Sequence, residues 1–174
     1  RQLGFIFQDF NLLPTLTVEE NIILPLTLDE QPIAVMEERL HYLSELLELS
    51  SILVKRPNEI SGGQAQRTAI ARALIHRPML VLADEPTGNL DSNASREVLE
   101  LLGKMNQENN TTILMVTHDP IAASYCDRVI FIKDGEFFNE IYKDDRRQTF
   151  FQRILNVLSL LGGHVGDFSS IRLP

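Results

Sequence analysis

The spacing of apolar residues changes more than once along the chain. "LGFIF" (3–7) is a short apolar run that predicts a buried strand ending at Gln8. The stretch "DFNLLPTLT" then reads as a loop broken at Pro14, with Thr17 placed to cap a short helix over 18–24. Pro25 and Pro32 punctuate the link that follows. Over 34–49 the apolar positions Val35, Met36, Leu40, Leu43, Leu46 and Leu47 recur at helical spacing opposite a polar face. A loop through Pro57 leads to Ser61, and the Ala- and Arg-rich stretch 64–77 predicts another helix.

The pattern changes again at "MLVLA" (79–83), a continuous apolar run of the kind that suits a central parallel strand covered on both faces. A helix is expected over about 93–106, started by Asp91 or Ser92, and "TILMV" (112–116) is a second buried strand. A short helix near 121–125 leads to "RVIFIKDGEFFNEIY", where Asp134-Gly135 is a hairpin turn signal. In the tail, Phe151, Ile154, Leu155, Leu158 and Leu161 form one helical stripe, stopped by Gly162-Gly163. Such a stripe ordinarily packs on its own core. "KDDRR" (143–147) reads as a solvated turn. Strand and helix alternate in the second half, so the fold class is α/β with a helical insert between residues 9 and 77.

Composition narrows the picture only a little. The 174 residues suffice for a proper core, and 44% hydrophobic with 23% charged residues is ordinary for a globular domain. A formal net charge of −8 argues against nucleic acid as a partner. The single cysteine, Cys126, excludes an internal disulfide. No apolar run approaches the ~20 residues needed to cross a bilayer. The chain opens on Arg1, a few residues before a strand pattern, so it is expected to be a piece of a longer protein.

The candidate chemistry lies where the predicted strands end. In open α/β sheets ligands bind at the carboxyl ends of strands, and here those ends carry Gln8, the Asp84–Glu85 pair and His118. If the strands are parallel in one sheet, these side chains meet along one edge. Neighbouring carboxylates at a strand end point to opposite sides. Asp84 can therefore reach a Mg²⁺ through water while Glu85 orients or deprotonates an attacking water. His41, His76 and His164 have no such context and are expected in surface or packing roles. A different oddity precedes the helix at 64: Ser61 is followed by Gly62 and Gly63, each costing roughly 1 kcal/mol relative to Ala in a helix. Bare glycines at a capped helix start leave room for something to approach the backbone N–H groups.

In order, "SGGQAQR", "LVLADEPTGNLD" and "VTHD" resemble the signature motif, the Walker B segment with its D-loop, and the switch histidine of ABC-type ATPases. "FIFQDFNLLPTLTVEENI" resembles their Q-loop, so the likeness covers residues 3 to 119. The resemblance implies a partial P-loop NTPase-like parallel sheet flanked by helices, with an inserted helical subdomain. It divides the chain into 1–8 (core strand and Q-loop start), 9–77 (helical signature subdomain), 78–143 (remaining ATPase core) and 144–174 (C-terminal extension). It also implies that Ser61, Gly62, Gly63 and Gln64 contact the γ-phosphate of ATP held by a second subunit. Gln8 would contact Mg²⁺ or the attacking water and sense the membrane partner. Asp84 would assist Mg²⁺, Glu85 would be the general base, Asp91 would bridge the subunits, and His118 would hold the γ-phosphate.

The phosphate loop G-x-x-x-x-G-K-[ST] is missing from the chain. Gly103-Lys104-Met105 is a poor substitute, lacking the hydroxyl residue and the first glycine. The resemblance puts that loop before the Q-loop, so this chain alone is expected to be a poor ATPase and its full-length parent a competent one. "DEPTGNLD" and "FNLLPTLTVEENI" are similar to the ATPases of lipoprotein-release, macrolide-export and antimicrobial-peptide-resistance systems, and the tail is most like that of bacitracin-type exporters. The implied partners are a second copy, forming a homodimer, and a separate membrane-spanning permease, with no nucleic acid. The implied place is cytoplasmic, on the inner face of a bacterial plasma membrane. Two other functions compete: a soluble mechanochemical ATPase of the DNA-repair kind, and a non-catalytic regulatory module.

Overall fold

A computed structural model describes residues 3–109, 111–144 and 146–162. The chain separates into two units, one ending at Thr117 and the other starting at His118.

The first unit is built on three parallel strands in the order β1 (Leu3–Ile6), β2 (Leu80–Asp84) and β3 (Thr112–Val116). Leu3 pairs with Leu80, Leu80 with Thr112, and Asp84 with Val116. β2 is thus central and the strands end on one edge. Between β1 and β2 lie α1 (Val18–Leu28), α2 (Ile33–Leu46), two short 3-10 turns and α3 (Gly62–Leu74). α4 (Ser92–Asn109) joins β2 to β3. The α/β class with a parallel sheet, flanking helices and inserted helices is what the chain forms. Gly103 and Lys104 lie inside α4.

Local chemistry explains the starts of these helices. Thr17 caps α1 through the Glu20 amide, and the Glu20 carboxylate accepts from the Thr17 amide. Asp91 Oδ1 accepts from the amides of Asn93 and Ala94, capping α4. α1 runs four residues past the expected end at 24 and holds Pro25 in its interior. Burial of Val18, Ile22 and Leu26 on one face carries the helix through the proline. Buried Asn21 secures the preceding loop: its Oδ1 accepts from Leu13 N–H at 2.8 Å, and its Nδ2 donates to the carbonyls of Leu13 and Thr17. α3 ends at Leu74 rather than 77, with Arg77 at φ 53.

The core of this unit sits on one face of the sheet. Ile6, Val81 and Ala83 pack there with Ile70, Ala73 and Leu74 of α3 and Val98, Leu102 and Met105 of α4. Gly4 permits the approach, since a Cβ there would lie 2.5 Å from the Ala73 carbonyl oxygen. The opposite face corrects the expectation that β2 is covered on both sides. Among the described residues Leu80 and Leu82 are only half-buried, and Leu3, Phe5, Leu114 and Val116 are exposed.

In the second unit, α5 (Pro120–Ala123) precedes the antiparallel pair β4 (Arg128–Lys133) and β5 (Glu136–Tyr142), followed by α6 (Arg147–Gly162). Asp134 and Gly135 both have positive φ, 52 and 81, and close the hairpin as a two-residue turn. α6 packs on the hairpin through Phe150, Ile154 and Val157, with Leu158 and Leu161 at its margin, and Phe151 is buried as well. The buried stripe is therefore shifted from the expected one: Phe150 and Val157 join it and Leu155 does not. Gly163 lies outside the described residues. Within "KDDRR" the described residues are exposed, as expected; Asp144 pairs with Arg153 and Arg147 stacks on the Tyr125 ring at 4.3 Å.

Candidate functional site

The edge where β1, β2 and β3 end gathers the first unit's polar groups. Gln8 follows β1, Asp84 is the exposed last residue of β2, and Glu85 comes next. Glu85 leaves the strand with φ 44, a left-handed backbone uncommon for a non-glycine residue. Its N–H donates to the Val116 carbonyl at 2.9 Å, and its Oε2 accepts from the Thr117 hydroxyl at 3.0 Å. His118 is the next residue, exposed, and opens the second unit.

Gln8 is laid against the loop that joins Glu85 to α4. A Cβ on Gly88 would come within 2.8 Å of Gln8 Nε2, so the glycine makes room for the amide. Asn89 Nδ2 donates to the Gln8 carbonyl at 3.1 Å and to Asp9 Oδ1 at 2.8 Å. On the other side, Arg72 of α3 donates to the carbonyls of Asn11 at 2.6 Å and Phe10 at 2.8 Å, both at positive φ. Burial pulls the Arg72 pKa below its ordinary value, and guanidinium remains charged nonetheless.

The start of α3, with Gly62 and Gly63 in its first turn, is a capping box. Ser61 Oγ accepts from Gln64 N–H at 3.3 Å, and Gln64 Oε1 accepts from Ser61 N–H at 3.0 Å. A hydroxyl that accepts still has its own hydrogen to donate. Gly62 and Gly63 supply the first-turn N–H groups, where the helix dipole favours an anion. Together with Asn89 and Asp91 they line a hollow of about 420 Å³. Gly63 has a reason inside the chain to be small, since its Cβ would stand 3.3 Å from Ala94 Cβ. Gly62 has none of that kind: its nearest neighbour would be at 3.6 Å, and its φ is not positive.

A model for a family described as ABC transporter matches residues 1–88. The ABC transporter ATP-binding protein YxdL of Bacillus subtilis is 61% identical over 99% of this chain and 67% of its own length. The chain belongs to the ABC transporter family. The bacitracin export ATP-binding protein BceA of Halalkalibacterium halodurans is 51% identical over 96% of the chain and 66% of that protein. A dimeric structure of the ATP-binding cassette MJ0796, in a post-hydrolysis state bound to ADP and Pi, superposes with a TM-score of 0.71 at 41% identity. The match covers 81% of this chain and 62% of that one. This family member thus spans about two thirds of the length of its curated relatives.

Several groups at the site of this ABC family chain carry no motif of their own in the sequence. Arg67 lines the hollow at 21% exposure and pairs with Glu48 at 3.0 Å and Glu97 at 3.8 Å. Gln66 is fully buried and donates to the Pro86 carbonyl at 2.5 Å. Their signal was present only as the polar letters within "SGGQAQR". His76 bonds the Leu3 carbonyl at 3.0 Å and exposed His41 lies 3.7 Å from Glu45, while His164 is outside the described residues.

Proposed function

We propose that the full-length protein carrying this chain binds and hydrolyses ATP as the ATP-binding subunit of a membrane exporter. It would work as a homodimer beneath a separate permease, on the inner face of a bacterial plasma membrane. The substrate class is peptide-like or lipophilic, in keeping with the bacitracin exporter among its relatives. The division into a helical piece, 9–77, and core pieces, 1–8 and 78–143, followed by an extension, 144–174, belongs to the same reading.

The observation that carries the proposal is Glu85, fixed at the carboxyl end of a parallel sheet on the edge shared with Gln8 and Asp84. Water forms a bond to the γ-phosphorus, the bond from that phosphorus to the ADP oxygen breaks, and ADP leaves with the electron pair. Glu85 accepts the water's proton. His118 holds the γ-phosphate oxygens. Mg²⁺ would neutralise phosphate charge when bound. The described residues contain no cluster of three acidic, His or Cys ligands. Asp84 and Gln8 would be the ion's protein contacts, with water and phosphate completing its shell. Ser61, Gly62, Gly63 and Gln64 would meet the nucleotide of the second subunit. A glycine at 62 that its own fold does not require supports an approach from outside. Asp91 would bridge the subunits beside them while its Oδ1 caps α4.

We place the phosphate loop in a further segment of the full-length protein. The exposed apolar sheet face, with Phe5 at 46% and Leu114 at 54% exposure, favours a longer chain whose additional part covers it. Among the described residues no helix is long and apolar enough to cross a membrane.

The test is Glu85→Gln in the full-length protein. ATP binding should persist, hydrolysis should fall by about 10²–10⁴-fold, and an ATP-bound dimer should accumulate. Turnover like that of the wild type would defeat the assignment.

A further inference from the structure

We propose that Thr117 is a positioning residue for hydrolysis, holding the Glu85 carboxylate in its working orientation. The proposal rests on the reading of Glu85 as general base and adds the group that aims it.

The geometry follows from strand register. Asp84 pairs with Val116 on neighbouring parallel strands, so the next residues, Glu85 and Thr117, emerge side by side. Glu85 then turns out of the strand with φ 44. Glu30, Glu48 and Arg77 take the same backbone just after helices, whereas Glu85 takes it at the end of a central strand, among the polar groups of the candidate site. Two of the bonds that hold Glu85 there come from the end of β3. One runs from Glu85 N–H to the Val116 carbonyl at 2.9 Å, the other from the Thr117 hydroxyl to Glu85 Oε2 at 3.0 Å. The first bond fixes the main chain and leaves the long side chain its rotamers. The second fixes the carboxylate.

The residue types fit this role. Glutamate has three rotatable bonds, yet a general base must stay within hydrogen-bond reach of the proton it takes. A misplacement of about 1 Å can cost on the order of a hundredfold in rate. Threonine is stiff at χ1, so its hydroxyl is a firmer anchor than that of a freely turning serine. A hydroxyl donating to an ionised carboxylate makes one of the stronger side-chain hydrogen bonds. Both partners are half-buried, which limits competition from water. A purely structural role for Thr117 predicts losses of stability and nucleotide binding. A positioning role predicts a loss of rate that vanishes when Glu85 is removed.

The experiment is a double-mutant cycle in the full-length protein, with Thr117→Val, Thr117→Ser, Glu85→Gln and Thr117→Val/Glu85→Gln. For each variant the thermal midpoint, ATP affinity, kcat and slow single-turnover ATP cleavage are measured. Thr117→Val should lose about ten- to a hundredfold in kcat with ATP affinity unchanged. Thr117→Ser should recover most of the loss. In the Glu85→Gln background Thr117→Val should leave the residual cleavage rate where it was. If Thr117→Val does not fold, Thr117→Ala replaces it in the same cycle. A normal kcat in Thr117→Val overturns the inference, as does an equal fold-loss with and without Glu85. In both cases an inactive Glu85→Gln leaves the general-base reading standing. Wild-type turnover in Glu85→Gln removes that reading, and this inference with it.

Discussion

Gly63 has a close neighbour inside its own chain and Gly62 does not, yet both stand at a capped helix start that opens on the same hollow. In the same hollow Arg67 is paired with Glu97, and the first-turn amides carry the positive end of the α3 dipole. An anion brought from outside is the ligand these groups suit. Gly63→Asp separates this role from packing. An acidic residue in the first turn of a helix is worth about 0.3–1 kcal/mol to it, which offsets part of the crowding against Ala94. The full-length variant should therefore fold and bind ATP at its own phosphate loop. Its carboxylate would stand where the partner's γ-phosphate belongs, so ATP-driven dimerisation and turnover should be lost. Measuring affinity, dimer formation and turnover on one preparation decides it. Loss of affinity with dimerisation intact would assign the glycines to another site.

Between elements, three segments are tied in a closed set. Arg72 links α3 to the loop after Gln8, Asn89 links that loop to the one after Glu85, and Gln66 links the latter back to α3. The Gln8 loop contains two non-glycine residues in left-handed backbone, Phe10 and Asn11, and its shape depends on these outside donors. Asn89→Ala removes two of the bonds without touching α3. Since Asn89 is exposed, global stability should fall by only about 0.5–1.5 kcal/mol. The amides at 8–12 should exchange with solvent about tenfold faster, while those of α3 keep their protection. Hydrogen exchange by mass spectrometry reads both, and unchanged protection at 8–12 would mean that Asn89 is not the tie.

For the whole molecule, the main asymmetry is the sheet: Val81 and Ala83 are buried while the strand faces bearing Leu3, Phe5, Leu114 and Val116 are open. Apolar surface of that kind is a site of association. The chain also lacks the lysine and hydroxyl residue that hold phosphates in P-loop enzymes. Residues 1–174 on their own should bind ATP–Mg²⁺ very weakly, show no turnover above background and self-associate as concentration rises. Calorimetric titration and sedimentation on the same material test this. Micromolar ATP affinity would show that the binding determinants lie within these residues after all.

Local order was legible in the sequence wherever the physics is local. Thr17 with Glu20, Ser61 with Gln64, and Asp91 cap helices within three residues of themselves, and Asp134-Gly135 turns a hairpin on its own backbone preferences. The strand runs and the polar groups at their ends were legible for the same reason, and they placed Gln8, Asp84 and Glu85 on one edge once the strands proved parallel. What periodicity cannot report is which of two apolar faces finds a partner. Val81 and Leu82 are equally apolar, and only the helices stacked on one side distinguish them. Pro25 likewise stops a helix by propensity, and the burial of Ile22 and Leu26 overrides it. The groups that aim the site were beyond reach for a different reason. Thr117 and Glu85 are 32 residues apart, Asn89 and Gln8 81 apart, and Arg72 and Phe10 62 apart. Such bonds exist only after the sheet has set its register, because nothing in the chemistry of either partner names the other.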